Sequence, residues 1–172
     1  MKYKGLIMVV LIAIAVALLL FLPENKTYKE IASVGVPAPA FELKDADGNL
    51  WKLSDLKGKV VLVNFWATWC SVCKSEKRSL ENLYMKVQDK PLQMLGILFR
   101  DNPNNLISYF QRQKVSYPTL IGNDNEVAGQ YGITGVPETF IIDKNGIVRE
   151  KIVGPREWDT PEAMALIEKW LL

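Results

Sequence analysis

Histidine is absent from this chain of 172 residues, and cysteine occurs only twice, at Cys70 and Cys73. Without an imidazole, Ser-His-Asp and Cys-His hydrolysis, His-ligated zinc catalysis and blue-copper centres are excluded. Two sulfurs cannot supply a four-thiolate zinc or iron–sulfur site within one chain. An excess of charge is lacking too. Lys and Arg number 21 against 19 Asp and Glu, and a net charge of +2 is too small to hold a polyanion, so no nucleic-acid partner is expected. The length leaves no room for a second full domain. Thiol exchange, weak two-ligand metal binding, or no catalysis remain.

Charge and proline are also missing from the run Gly5 to Leu22, which follows Lys2 and Lys4. Eighteen such residues span about 27 Å as a helix, close to the roughly 30 Å hydrocarbon core of a bilayer. A secretory signal has a shorter apolar region, ending in a small-x-small cleavage site. Here the run closes on Leu19-Leu20-Phe21-Leu22-Pro23, which lacks that site, and the small-x-small sequences within it would leave an apolar stub. No cysteine near residue 22 suggests a lipid attachment. Residues 1–22 are therefore expected to be an uncleaved, single-pass anchor, in the lipid bilayer through residues 5–22. The basic N-terminus lies in the cytoplasm by the positive-inside rule, and the rest faces the outer side.

Residues 23–38, punctuated by Pro23, Gly35 and Pro37, read as a linker, and residues 39–172 as one α/β domain. Phe41–Leu43 and Leu50–Leu53 alternate apolar with polar around Asp47-Gly48-Asn49, a hairpin pattern. Lys59–Trp66, rich in valine, reads as a strand buried on both faces. Helical spacing from Cys70 to Gln88 places Cys73, Leu80, Leu83, Tyr84 and Val87 on an apolar side. Leu92–Phe99 reads as a second buried strand, Asn104–Gln113 as a helix, and Glu126–Tyr131 as a short helix stopped at Gly132. Glu138–Asp143 and Ile147–Val153 form a second hairpin, and a last helix starts near Thr160. The expected order is hairpin, β, α, β, α, hairpin, α.

Cys70 and Cys73 fall where the buried strand becomes a helix. Two intervening residues let one helical turn bring the sulfurs to bonding distance, so dithiol and disulfide interconvert with little backbone motion. A sulfur at a helix start is favoured as thiolate by unpaired amides and the helix dipole, which makes Cys70 the expected nucleophile and Cys73 the resolving thiol. Two alternatives stand beside this. A static staple closing so short a loop would remove little chain entropy. A two-thiolate copper site would want a histidine or methionine, and Met94 falls within an expected buried strand.

Phe65-Trp66-Ala67-Thr68-Trp69-Cys70-Ser71-Val72-Cys73 resembles the active-site segment of the thioredoxin superfamily, and Gly135-Val136-Pro137-Glu138-Thr139-Phe140 resembles its proline loop and following strand. With Asp101-Asn102-Pro103 and the anchor, the combination is similar to the DsbE/CcmG group of cytochrome c biogenesis reductases and to the TlpA and ResA type proteins, over about residues 35 to 172. The resemblance implies a thioredoxin-like fold with a central mixed sheet flanked by helices, an N-terminal β-hairpin extension and one N-terminal transmembrane helix. It implies a cis peptide before Pro137, although only about 5–6% of X-Pro bonds are cis. It also implies that Glu76 and Glu138 approach the sulfurs, whereas a glutamate's default place is the solvated surface. Trp66, Trp69, Asn64 and Val136 would surround the site.

Asn64 stands where cytoplasmic thioredoxins carry a buried aspartate. An amide exchanges no proton in the working range, so Glu76 is the expected proton carrier for Cys73. Ser71-Val72 departs from the usual Gly-Pro and adds no positive charge, which points to a more reducing couple than a DsbA-type oxidant. The expected activity is a membrane-anchored disulfide reductase on the periplasmic side of a bacterial inner membrane. It needs no cofactor and no metal. Its expected partners are apocytochrome c, or a cytochrome c maturation thiol protein, and a membrane electron donor of the CcdA/DsbD kind. A general exported thiol reductase and a non-catalytic thiol- or copper-binding protein are the other readings.

Overall fold

In Val60–Trp66 every residue is buried, because the strand has helices on one face and the N-terminal segment with a short helix on the other. The computed structural model describes residues 3–4, 7–9, 11–13, 31–113, 115–122 and 126–171. Among these the strands are β1 (Glu42–Asp45), β2 (Leu50–Lys52), β3 (Val60–Trp66), β4 (Leu92–Leu98), β5 (Thr119–Ile121), β6 (Glu138–Ile142) and β7 (Val148–Val153). The helices are α1 (Ser71–Val87), α2 (Pro103–Arg112), α3 (Glu126–Gln130) and α4 (Pro161–Leu171), with a 3-10 turn at Leu53–Leu56. They form one mixed sheet in the order β2-β1-β5-β4-β3-β6-β7. β3, β4 and β5 run parallel, while β6 and β7 are antiparallel additions on one side and the β1–β2 hairpin on the other.

Side chains alternate across a strand, and β3 uses this to fill two cores at once. Val61, Val63 and Phe65 join Phe41, Leu43, Leu95, Ile97, Tyr131 and Phe140 on one face. Val60 and Leu62 join Leu80, Leu83 and Val87 of α1 and Ala163 and Ile167 of α4 on the other. Asn64 and Trp66 continue that second row, so the α1 face carries the polar and aromatic side chains nearest the strand's end.

Both expected hairpins form. Asp45 organises the first, accepting the Asp47 and Asn49 amides and the Trp51 indole. The short helix α3 ends at Gln130, one residue before the expected Tyr131, and Gly132 just beyond it has a φ of +68° that suits glycine. Two elements were not foreseen, and the expected order is corrected accordingly. The 3-10 turn follows β2 directly, and β5 has only three residues after Pro118, too few to display a period. Pairing makes β5 a strand: Gly96↔Thr119 on one side and Lys44↔Ile121 on the other, which joins the hairpin to the sheet.

The expected anchor lies mostly outside the described residues, as does the linker up to residue 30. Among the described residues no helix is long and apolar enough to cross a membrane.

Gly96 of β4 lies directly beneath two buried side chains. A Cβ there would meet Trp66 Nε1 at 2.9 Å and Thr119 Oγ1 at 3.0 Å. Gly96→Ala is expected to push the fully buried Trp66 and to destabilise the domain by about 1–3 kcal/mol, the usual effect of overpacking. Urea denaturation of variant and parent measures this, and equal midpoints would show that the interior yields freely.

Candidate active site

β3 stops at Trp66 because three residues, Ala67–Trp69, turn the chain into α1. The turn is held from the β4–α2 connection. Asp101 accepts the Thr68 amide at 2.5 Å, together with the Asn102 amide and the Asn105 side chain. Burial opposes the Asp101 charge, yet these hydrogen bonds outweigh it and hold its carboxyl below the ordinary range. The Trp69 indole donates to the Arg100 carbonyl at 3.1 Å, and Arg100 presents that carbonyl from a left-handed backbone, φ 45°.

Cys70 is the N-cap of α1. Its backbone is extended, and its sulfur accepts the Cys73 amide at 3.1 Å. A first-turn amide, which every helix leaves unpaired, is thereby directed at Cys70 Sγ. Cys70 and Cys73 are joined as a disulfide, with Cα atoms 5.3 Å apart. The Val136–Pro137 peptide is cis, as the resemblance implied, and the Val136 carbonyl oxygen lies 3.6 Å from Cys70 Sγ. Around this centre Trp69 is 58% and Val72 47% exposed, whereas Cys70 is 5% and Cys73 0% exposed. The first sulfur thus sits at the rim of an apolar surface and the second beneath it. Trp66 lies fully buried behind both, in one cluster with Cys70, Cys73, Leu106 and Tyr109.

Glu76 is buried rather than solvated. It stands one turn beyond Cys73, where residues three apart share a helix face. Its Oε1 accepts Asn64 Nδ2 at 3.0 Å and its Oε2 accepts the Arg156 backbone amide at 3.1 Å. Asn64 Nδ2 also donates to Thr139 Oγ1, tying β3, β6 and α1 together. Burial pushes the Glu76 carboxyl up. Hydrogen bonds from Arg156 and Asn64, the nearby Trp158 indole and the charge of Lys77 pull it back without cancelling the rise. A pocket of about 210 Å³ lined by Ser75, Glu76, Pro155, Arg156 and Glu157 lies beside it.

The expected residues therefore divide. Cys70, Cys73, Val136, Pro137, Trp66 and Trp69 converge on the disulfide, and Asn64 and Glu76 form a buried pair below it. Glu138 is buried next to the cis peptide, but its carboxylate is taken by Lys151 Nζ at 2.8 Å. Among the described residues no group of three or more Cys, Asp or Glu side chains is arranged for a metal, and Met94 packs in a different cluster from the cysteines.

Lys77 was not singled out in the sequence. It is buried, its Nζ donates to Tyr117 Oη at 2.6 Å, and it lies 3.5 Å from the Trp66 ring centroid. A signal existed: Cys73, Lys77, Leu80 and Tyr84 follow the i, i+4, i+7, i+11 spacing of one helix face.

The sequence profile of the AhpC/TSA family matches residues 34–151. The thiol-disulfide oxidoreductase ResA of Geobacillus thermodenitrificans is 35% identical over 128 residues, 74% of this chain and 74% of the relative. The thiol:disulfide interchange protein DsbE of Escherichia coli is 35% identical over an alignment of 184 residues, 99% of this chain and 97% of the relative. A crystal structure of a thiol:disulfide interchange protein of the thioredoxin family from Chlorobium tepidum superposes with a TM-score of 0.71 at 30% identity. It covers 81% of this chain and 99% of that one.

Position and burial predict the order of thiol reactivity. In the reduced protein, iodoacetamide near neutral pH is expected to alkylate Cys70 well before Cys73, read by peptide mass spectrometry. First labelling at Cys73 would reverse the assigned roles.

Proposed function

Because the chain belongs to the AhpC/TSA family and is a thiol-disulfide oxidoreductase of the ResA and DsbE kind, we propose that it is a disulfide reductase of cytochrome c biogenesis. In this role it keeps the haem-binding thiols of apocytochrome c reduced. The observation that carries the reading is the Cys70–Cys73 pair at the start of α1, against the cis Val136–Pro137 peptide and within an exposed apolar rim.

The Cys70 thiolate attacks a substrate disulfide, forming a mixed disulfide and releasing one substrate thiol. Cys73 then attacks Cys70 Sγ, which breaks the mixed disulfide and releases the second thiol. The substrate gains two electrons and two protons, and the pair is left oxidised. Trp69 and Val72 offer the substrate an apolar surface, and the Val136 carbonyl faces the reacting sulfur. Cys73 must lose a proton before it attacks. Glu76 is the group proposed to take it, supported by its buried place one turn away, its raised carboxyl and the pocket that it lines with Arg156 and Glu157.

The uncharged Ser71-Val72 pair supports the reducing direction, since nothing between the cysteines stabilises the thiolate as a histidine would. A reductant in an oxidising compartment needs an electron supply, here a membrane thiol transporter of the CcdA/DsbD kind. Residues 1–22 hold the domain beside that donor on the outer face of the inner membrane, and residues 23–38 tether it.

Two measurements check the proposal. Cys73→Ala, expressed in its own cell, is expected to accumulate mixed disulfides on Cys70 with apocytochrome c or a maturation thiol protein. A spread of unrelated exported proteins instead would make it a general reductase. Glu76→Gln is expected to slow reduction of a model disulfide by about a hundredfold, the low end for a positioned acid–base group, and to flatten the pH profile near neutrality. Rates equal to the parent from pH 5 to 9 would remove Glu76 from the mechanism.

A further inference from the structure

Asn64 uses only one end of its side-chain amide. The residue is buried on β3, and Nδ2 makes both of its hydrogen bonds, to Glu76 Oε1 at 3.0 Å and to Thr139 Oγ1 at 2.9 Å. Asn64 Oδ1 is buried as well and has no hydrogen-bond partner among the described residues. An acceptor left unpaired in the interior opposes folding, so its presence calls for a reason. Asn64 and Thr139 stand opposite each other in the β3–β6 ladder, and Glu76 reaches them from α1.

The two protonation states of Glu76 ask different things of these neighbours. A carboxylate only accepts hydrogen bonds, whereas a carboxylic acid carries one O–H that needs an acceptor. The Arg156 backbone amide holds Oε2 at 3.1 Å, and an N–H of this kind can only donate. The nearby Trp158 indole is limited in the same way. Oε2 therefore keeps its bond in either state, and an added proton belongs on Oε1, which faces Asn64. With the amide as it stands, that would set a donor against a donor. The two ends of an amide have nearly the same shape, so half a turn about its bond needs no extra room.

We propose that Asn64 is a positioning residue that reverses its side-chain amide with the proton on Glu76: Nδ2 donates to the carboxylate, and Oδ1 accepts from the acid. The proton that Glu76 takes from Cys73 then sits on Oε1 and is donated to Asn64 Oδ1, while the Thr139 hydroxyl turns from acceptor to second donor to that oxygen. Asn64 keeps two hydrogen bonds in either orientation. The inference rests on the acid–base role proposed for Glu76. An aspartate in place of Asn64 would instead meet Glu76 with a like charge. The other ionisable neighbours of Glu76 are Lys77 on α1, Arg156 and Glu157 of the β7–α4 connection, and Tyr117 before β5, whose phenol burial holds well above the usual range. Asn64 is the group hydrogen-bonded to Oε1.

The test is NMR of the full-length, oxidised chain in detergent micelles, labelled with ¹⁵N and ¹³C, reading nuclear Overhauser effects from the Asn64 side-chain NH₂ to Thr139 as pH is lowered through the Glu76 midpoint. Above the midpoint the Thr139 effects are expected to be strong, and below it to fall several-fold as Nδ2 turns away. Glu76→Gln gives the same readout without a titration. Its carbonyl oxygen must stay on the Arg156 amide, so its NH₂ faces Asn64 and the reversed pattern is expected at every pH. Thr139 effects that keep their full strength across the titration, or in Glu76→Gln, would make Asn64 a fixed donor and overturn the proposal. The rate assay of Glu76→Gln keeps the two readings apart. If that variant is slow while Asn64 stays unreversed, the inference on Asn64 fails alone. If Asn64 reverses while Glu76→Gln matches the parent rate, the amide reversal stands and the acid–base role of Glu76 falls.

Discussion

The Cys73 amide directed at Cys70 Sγ, 3.1 Å away, is the contact on which the rest of the site depends. It exists only if α1 begins at Ser71, with Cys70 as its cap, and that requires β3 to end at Trp66 with three residues for the turn. The turn is short enough to be fixed from outside, which Asp101 and the Arg100 carbonyl do from the end of β4. A start one residue later would rotate every side chain of α1 by about 100° against β3. Glu76 would then no longer face Asn64, and Lys77 would leave the Trp66 ring. Capping, the buried acid and the buried lysine are consequences of one helix phase.

That phase places two ionisable side chains inside, which opposes stability, and in opposite pH directions. The raised carboxyl of Glu76 binds its proton more tightly in the folded chain, so stability is fullest below the ordinary carboxylate range and declines as pH rises through the raised value. Lys77 behaves inversely. Its folded pKa near 7 lies below the unfolded one, so the folded chain binds fewer protons between about 7 and the ordinary lysine value, and stability declines as pH falls across that interval.

Sequence periodicity carried the architecture wherever an element was long enough to repeat. β3 and β4 were legible as valine- and leucine-rich runs, α1 by its apolar stripe, and both hairpins by their turns. β5 was not, because three residues hold less than two periods and its strand character comes from the partners on either side. At the site, Cys70 and Cys73 were visible from spacing, and Asn64, Pro137 and Glu76 through the resemblance. What stayed hidden was the partner of each charge. Nothing local says that Glu138 meets Lys151 across the β6–β7 ladder, or that the Arg156 amide, eighty residues away, caps Glu76. Lys77 lay in the apolar stripe of α1, but a lysine at such a place ordinarily snorkels outward, and only the aromatic pocket of Trp66 and Tyr117 turns it in.

The disulfide is chemically central and structurally peripheral, and this follows from its size. Its ring closes over two residues, so it takes little entropy from the unfolded chain. The domain is held instead by two apolar clusters on either face of a seven-stranded sheet, neither of which contains a cysteine. The sulfurs belong to a third, smaller cluster at the C-terminal end of the parallel strands, where strand, helix and proline loop meet. Neither large cluster uses the Cys70–Cys73 bond, so opening it is expected to leave both packed, and the amide that meets Cys70 Sγ belongs to the first turn of α1. The burial that folds the chain lies on the faces of the sheet, while the chemistry sits at the C-terminal end of its interior strands.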